Sequence, residues 1–407
     1  MRSLTLEERK QFNDIFENLG ASLDVPKSRY NEMVSSYQAV GQFLGDDSSP
    51  LAPYKPEIQP QGSFLLGTMI TPVNENDDLD IDLVCEVMKK HPEWTAEDLK
   101  AKVGDRLKLS ERYKKLLDEE GRRCWTLLYR KNSENPTDRY HMDILPCVND
   151  EKTRLREQYF SVSMGQVDKL AIRITDKEHP NYKYETDSTK WLKSNPFGYA
   201  KWFEDRCNIE TRKTLLFSEA KVGSVPTYKE EKSPLQRVVQ ILKRHRDIMF
   251  KGDEHKPISI IITTLAARAY NKETNVLDAL VNVVNGMEKY IERESPTGQY
   301  IVRNPVNKDE NFADKWVDTP QKQLNFFNWL KQVKQDIEQI IEKKDGLQLI
   351  AESMNKPFGK EVVQRTFSAI AANQRKNREN NTLRATTTGV LGTVGTIVKA
   401  HTFHGDE

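Results

Sequence analysis

The 407-residue sequence lacks long apolar runs and lacks any excess of charge of one sign. No segment reaches the roughly 20 consecutive apolar residues needed to cross a bilayer. The first ten residues, Met1 to Lys10, contain no apolar stretch of the kind a secretion leader carries. A soluble, cytoplasmic protein without membrane contact is expected. Lys+Arg total 62 against Asp+Glu 61, a formal net charge of +1, which speaks against a broadly basic surface for long nucleic acid. Cysteine is scarce: Cys85, Cys124, Cys147 and Cys207 include no C-x-x-C pair, so neither a disulfide framework nor a zinc knuckle is expected. The first three lie in or beside apolar, strand-like runs and read as small buried thiols. No repeat period is visible. What remains is a chain with 37% hydrophobic residues, enough for a sizeable core in one large or two ordinary domains.

Taken in order, residues 4–45 show apolar spacing typical of helix, with Leu6, Phe12, Phe16 and Leu19 on one stripe. Pro26 interrupts that pattern, so a second helix is predicted over residues 28–44. A linker containing Pro50, Pro53, Pro56 and Pro60 leads into a first core strand at Ile58 to Gln61. Residues 92–119 read as a charged, surface helical insertion. The runs 124–129 and 140–146, separated by turn residues Asn132 to Pro136, predict a hairpin. Residues 149–206 are weakly patterned; Lys152, Arg154 and Arg156 cluster there, as do Tyr182, Tyr184, Trp191, Phe197, Tyr199 and Trp202. Loops and short helices around a functional rim are expected, with core packing of the aromatics as the alternative. Beyond Ser233-Pro234 the chain reads as helical, starting with a helix whose buried stripe is Leu235, Val238, Val239, Leu242 and Met249, and which has Lys243 at its margin. Further helices are predicted from Pro257, over 276–291, 321–341 and 359–376. The Gly/Thr-rich end reads as a flexible tail or an added edge strand.

One stretch organises the rest. Gln61-Gly62-Ser63-Phe64-Leu65-Leu66-Gly67-Thr68 is a glycine turn entering a helix, and Asp78-Leu79-Asp80-Ile81-Asp82-Leu83-Val84 follows it. On a strand, Asp78, Asp80 and Asp82 share one face while Leu79, Ile81 and Leu83 fill the other. Carboxylates crowded on a half-buried sheet are unfavourable unless cations neutralise them, and hard oxygen ligands suit Mg²⁺. Asp143 stands among Met142, Ile144 and Leu145, an expensive place for an unpaired charge, and is the natural third acid. Asp78 then becomes peripheral. Glycine in the turn lets a phosphate approach the backbone N–H groups, with the Ser63 hydroxyl adding a donor. Such a constellation suits a nucleoside triphosphate with metal and in-line displacement at the α-phosphate.

These residues resemble the motif of the DNA polymerase β-like nucleotidyltransferase superfamily. Within it, the chain is similar to the bacterial cGAS/DncV-like nucleotidyltransferases (CD-NTases), relatives of cyclic GMP-AMP synthase and oligoadenylate synthase. Gln61 before the turn, the Pro234 to Asp247 segment and the Asn304 to Trp316 segment carry that narrower resemblance. It implies an α+β fold: a two-lobed polymerase β-like core of mixed sheet with helices, plus a helical second lobe. Residues 1–57 would be N-terminal helices bracing both lobes, 58–232 the catalytic core with insertions, 233–380 the helical domain and 381–407 a tail.

The resemblance also assigns roles. Asp80 and Asp82 would bind two Mg²⁺ ions, with Mn²⁺ as a substitute, and Asp143 would bind the catalytic ion and activate the acceptor hydroxyl. Gln61, Gly62 and Ser63 would hold the triphosphate, Lys243 a phosphate, and Asn304 and Asn311 would lie in the loop that approaches the bases. The implied activity is synthesis of a cyclic di- or trinucleotide from ribonucleoside triphosphates, ATP first, with GTP or a pyrimidine nucleotide as alternatives. Pyrophosphate is released, and the product would activate an effector in anti-phage (CBASS) defence. Regulatory proteins acting on the C-terminal tail are a further implied partner class, although Asp406-Glu407 after Gly405 departs from a chain ending in glycine. The cysteine spacing offers no counterpart of the animal sensor's zinc insertion. A linear oligoadenylate or terminal RNA nucleotidyltransferase, and a non-catalytic nucleotide-binding interaction protein, are the competing readings.

Overall fold

The computed structural model describes residues 3–73, 78–134, 138–149, 164–207, 222–223, 225–228, 231–343, 346–385, 391–392 and 395–398. Helices α1 (Leu6–Ser22) and α2 (Lys27–Gly45) open the chain on either side of the Pro26 break, as the sequence predicts. Thr5 caps α1 in a reciprocal capping box with Glu8. Strand β1 (Pro56–Gln61) runs into the short helix α3 (Gly62–Leu66), and β2 (Leu79–Val87) carries the acidic motif. The charged insertion forms α4 (Ala96–Lys108) and α5 (Glu111–Leu116), followed by the predicted hairpin, β3 (Trp125–Tyr129) and β4 (Tyr140–Asn149). The insertion is not merely superficial. Leu99, Val103 and Leu107 are buried, and Gly104 lets the Trp125 indole pack so closely that a Cβ there would lie 2.2 Å from the ring.

Strands β5 (Ile172–Ile174) and β6 (Leu192–Ser194) complete the main sheet, in the order β1-β2-β4-β5-β6, with β3 also paired to β4. All pairs are antiparallel except β2 with β4, which is parallel. Leu79, Ile81, Leu83 and Cys85 alternate onto one face, where Met33, Tyr37, Val40 and Leu44 of α2 cover them. Helix α6 (Pro196–Cys207) follows β6. Its Phe197 and Ala200 join Leu65, Val84, Leu145 and Cys147 on the opposite face.

Residues 164–207 therefore correct the expected rim of loops. They contribute two sheet strands and a twelve-residue helix, and Tyr182, Trp191, Phe197 and Tyr199 are buried core residues. The Lys152, Arg154 and Arg156 cluster lies outside the described residues.

The helical lobe comprises α7 (Pro234–Phe250), α8 (Ser259–Ala269), α9 (Val276–Gly286), the paired strands β7 (Glu292–Arg293) and β8 (Tyr300–Ile301), the hairpin of β9 (Arg303–Asn304) and β10 (Asn307–Asn311), α10 (Lys315–Asp318), α11 (Pro320–Glu342), α12 (Leu347–Phe358) and α13 (Lys360–Glu379). Helix α12 was not foreseen, although Gly346 and Gly359 bracket it. Phe12, Ile15, Phe16 and Leu19 of α1 pack into this lobe's core. At the C-terminal end, β11 (Arg384–Ala385) pairs with both Leu391–Gly392 and Thr396–Ile397 in a small sheet of its own, rather than extending the main sheet. Residues 386–390 and 399–407, Gly405 included, lie outside the described residues.

Helix α7 departs most from expectation. Instead of one apolar stripe with Lys243 at the margin, every residue from Leu235 to Asp247 is buried. The reason is position: α1, α8, α9, α11 and α12 surround its apolar side, and its polar side faces the catalytic core. A buried polar side must be hydrogen-bonded. Arg237 Nη1 donates to Asp24 Oδ2 at 2.8 Å and its Nε to Glu17 at 3.2 Å, while Lys232 reaches Asp24 Oδ1 at 2.6 Å. His245 and Asp336 of α11 lie 2.9 Å apart on the other flank.

Removing one partner of a buried charged pair costs roughly 3–5 kcal/mol, whereas exposed pairs contribute about 1 kcal/mol or less. Asp24→Ala is thus expected to lose stability on the former scale in urea denaturation at pH 7. Asp105→Ala, at the exposed Lys108 pair, should stay within the latter.

Candidate active site

Gly62 sits where β1 ends and the chain must turn over the neighbouring strand. Register places Gln61 opposite Asp82, and Gly62 takes φ +60°, the left-handed region. A Cβ there would also lie 2.0 Å from Asp82 Oδ2. Both conditions demand glycine. Gln61 occupies the cap position of α3 without a side-chain capping bond, and Gly67 (φ 67°) ends the helix after one turn. Thr68 N–H donates to Ser63 O at 3.1 Å and closes the turn. Gly62 is exposed and Ser63 half-buried, so the turn is reachable from solvent.

The parallel pairing of β2 with β4 sets Asp80 beside His141 and Asp82 beside Asp143. Period-two alternation puts all four on one face. Two residues further along, that face becomes apolar at Val84 and Leu145, so the carboxylates stand at the margin of packed core. Thr126 Oγ1 on β3 donates to Asp143 Oδ1 at 2.6 Å. His141 Nε2 lies 2.7 Å from Asp80 Oδ1. Burial, followed by the charges of Asp80 and Asp143, raises the Asp82 pKa to about 7, with His141 and Lys243 giving partial relief. Burial alone would lower the His141 pKa; the hydrogen bond and charge of Asp80, aided by Asp143 and Asp78, outweigh it and raise the value to about 9. Asp78 is engaged elsewhere, accepting from Arg139 Nε at 3.1 Å.

Three mutually repelling carboxylates form the donor set a hard divalent cation prefers. Among the described residues they are not yet gathered at ligand distances around one point. One oxygen of each outer acid is engaged, Asp80 Oδ1 with His141 and Asp143 Oδ1 with Thr126.

Lys243 is reached through α7. Its Nζ donates to Thr68 O at 3.1 Å, and it lies in electrostatic range of Asp80 and Asp82. Burial, with Arg246 nearby, lowers its pKa to about 8. It belongs to a row: Gln236 Nε2 donates to Leu66 O, Gln240 Nε2 to Met69 O and Arg244 Nη2 to Thr71 O, each at 2.8 Å. Spaced at i, i+4, i+7 and i+8, these side chains share one helix face and grip the backbone that follows the glycine turn.

Asn304 and Asn311 lie in the β9–β10 hairpin (Arg303–Asn304 and Asn307–Asn311). Asn304 Nδ2 donates to Glu310 at 2.7 Å, and its Oδ1 accepts from Val306 N–H at 3.0 Å. Asn311 Oδ1 accepts from Val302 and Ala313 N–H, both at 2.9 Å. These bonds shape the hairpin from within. The hairpin and the segment after it come within electrostatic range of the core at two points, Glu310 toward Arg123 and Asp314 toward Arg122. Both arginines are anchored on the buried Asp176, at 2.6–2.8 Å.

His141, Thr126 and the glutamines of α7 escaped the sequence reading. A signal existed for His141, which stands two residues before Asp143 on the same strand face. For Thr126 and the α7 row the partners are distant in sequence, and no local pattern marks them.

Two expectations follow. Gly62→Ala should misplace the turn or the Asp82 carboxylate by about 1 Å, a displacement able to cost ~100-fold in turnover, while far-ultraviolet dichroism stays native. Asp176 offers a pH test: burial raises its pKa, but the bonds from Arg122 and Arg123 overcome this and hold it below the ordinary 3.8. Its stabilisation is therefore present above that value and lost as pH falls through the folded pKa. The melting-temperature gap between wild type and Asp176→Asn should be widest near neutrality and narrow below about pH 4.

Residues 10–160 match the Second Messenger Oligonucleotide or Dinucleotide Synthetase domain. The c-di-GMP synthase of Roseivirga ehrenbergii is 28% identical over 396 residues, covering 95% of this chain and 94% of that protein. The cyclic dinucleotide synthase CdnG of Bradyrhizobium diazoefficiens is 24% identical over 385 residues, 90% of this chain and 84% of that one. The solved structure of the B. diazoefficiens CdnG, in complex with GTP, superposes with a TM-score of 0.64 at 21% identity, covering 89% of this chain and 99% of that chain. The fold is thus the α+β nucleotidyltransferase architecture expected from the sequence. The chain thus contains a nucleotide second-messenger synthetase domain and is similar along nearly its whole length to bacterial cyclic dinucleotide synthases.

Proposed function

We propose that this enzyme condenses two molecules of GTP into a cyclic dinucleotide, releasing two molecules of pyrophosphate. The observation that carries the reading is the parallel register setting Asp82 beside Asp143 directly under the Gly62 turn. The guanine preference rests on the relatives: one named a c-di-GMP synthase and matched along nearly the whole chain, the other solved with GTP. This shifts the weight from ATP, expected first from sequence, to GTP.

The turn amides of Gly62 and Ser63 hold the triphosphate, and Gln61 and Lys243 border it. Asp143, oriented by Thr126, accepts the proton of the acceptor hydroxyl while its oxygen bonds to the α-phosphorus of the donor and pyrophosphate leaves. A second, intramolecular transfer closes the ring. Asp80, Asp82 and Asp143 would hold the divalent ions, Mg²⁺ or Mn²⁺, which when bound stabilise charge on the attacking and leaving oxygens. Asn304 and Asn311 shape the hairpin that borders the base. The product would signal to an effector in defence against phage.

The test is a product profile. Purified protein is incubated with GTP, ATP or both, with Mg²⁺ or Mn²⁺, and products are resolved by mass spectrometry after phosphatase treatment. A phosphatase-resistant cyclic guanine dinucleotide is expected, falling by about 100- to 1,000-fold in Asp82→Asn, the scale on which removal of one charge-stabilising group acts. A ladder of linear products would favour the linear synthase instead. Metal-dependent nucleotide binding with no turnover would favour the non-catalytic reading.

A further inference from the structure

Asp80 sits at the open end of β2 with its side chain 58% exposed, where a carboxylate has wide rotamer freedom. Its neighbour across the parallel pair is His141, whose Nε2 contacts Oδ1 at 2.7 Å and whose side chain is only 27% exposed. His141 is itself framed. Tyr140 and Met142, its neighbours on β4, are buried on the opposite face, and β3 lies along the other edge of β4, with Leu128 opposite His141. The less mobile partner thus holds the more mobile one by a single oxygen. No partner for Asp80 Oδ2 is found among the described residues.

We propose that His141 is a positioning residue for Asp80: by fixing Oδ1 it sets the carboxylate rotamer and presents Oδ2 toward Asp82 and the incoming divalent cation. The inference rests on the nucleotidyltransferase reading and adds to it a residue outside the three acids. An imidazole bound to a ligand carboxylate is the kind of outer contact whose loss weakens metal affinity by roughly 10- to 100-fold. The geometry also specifies which atom acts. A glutamine amide nitrogen reaches about as far from Cβ as histidine Nε2, whereas asparagine reproduces the shorter reach of Nδ1.

The test measures binding rather than turnover. Free Mn²⁺ is titrated by electron paramagnetic resonance against the full-length protein, with a non-hydrolysable GTP analogue at saturation. The variants are His141→Leu, His141→Asn and His141→Gln, each checked for a native melting transition. His141→Leu and His141→Asn should weaken Mn²⁺ binding by about 10-fold or more, and His141→Gln should restore it to within about threefold. If His141→Leu does not fold, the asparagine-glutamine contrast carries the test. Wild-type affinity in both the leucine and asparagine variants overturns the proposal, as does a glutamine variant no better than leucine. A wild-type protein that takes up no Mn²⁺ with the analogue sinks the metal-dependent reading itself, and is distinguished by Asp82→Asn then making no difference.

Discussion

A helix buried on all sides cannot carry polar side chains without partners, and in this molecule that constraint joins the two lobes. Along α7 the apolar residues Leu235, Val238, Val239 and Leu242 are fully enclosed by the helical lobe. The opposite edge presents Gln236, Gln240, Lys243 and Arg244 to the carbonyls of Leu66, Met69, Thr68 and Thr71. Backbone carbonyls that follow a tight turn have no strand partner of their own and, when buried, need donors. One surface supplies donors where the other supplies acceptors. Asp24, between α1 and α2, completes the arrangement by binding Arg237, Gln240 and Lys232 together.

The acidic face follows from a second constraint, the register between β2 and β4. Shifting that pairing by one residue would turn the acids of one strand away from those of the other. Apolar residues hold it in place: Leu79, Ile81 and Leu83 on β2 and Tyr140, Met142 and Ile144 on β4 lock onto the α2 side. Carboxylate proximity is thus enforced by hydrophobic burial on the reverse face of the same strands. The electrostatic consequence is Asp82, whose pKa is raised to about 7 by burial and then by the charges of Asp80 and Asp143. Gly62 is part of the same device, since the turn passes so near Asp82 that a methyl group has no room.

Local pattern carried much of this into the sequence. Pro26 marked the break between the first helices, alternation marked β2, and the turn residues marked the β3–β4 hairpin. The glycine turn and the acids were legible because their chemistry is costly elsewhere in a protein. What escaped depends on contacts distant in sequence. His141 is an ordinary strand histidine until the parallel register brings Asp80 to it. Lys243 looked marginal because an amphipathic pattern cannot tell a solvated polar edge from one buried against another lobe. The helix Pro196–Cys207 was missed because its aromatics obscure a stripe, although Asn195 accepts a hydrogen bond from Gly198 N–H at its start. The resemblance places Asn304 and Asn311 in a loop that approaches the bases; their bonds within the hairpin require the folded backbone to be seen.

These attachments differ in kind between the α7 side and the hairpin side. On the α7 side the glycine turn is tied to the helical lobe by buried hydrogen bonds to backbone carbonyls, and breaking them would leave several buried groups unsatisfied at once. On the hairpin side, Glu310 and Asp314 lie near Arg123 and Arg122, whose side chains are 43% and 37% exposed, and the Phe312 ring meets buried Tyr199 of α6 edge-on at 6.2 Å. Interactions between partly exposed charges are screened and individually weak. The lobes are therefore joined by buried hydrogen bonds beside the glycine turn, and by screened charges and one aromatic contact beside the β9–β10 hairpin. Under the function proposed above, the row of buried hydrogen bonds stands beside the turn that would hold one triphosphate while a second nucleotide is joined to it.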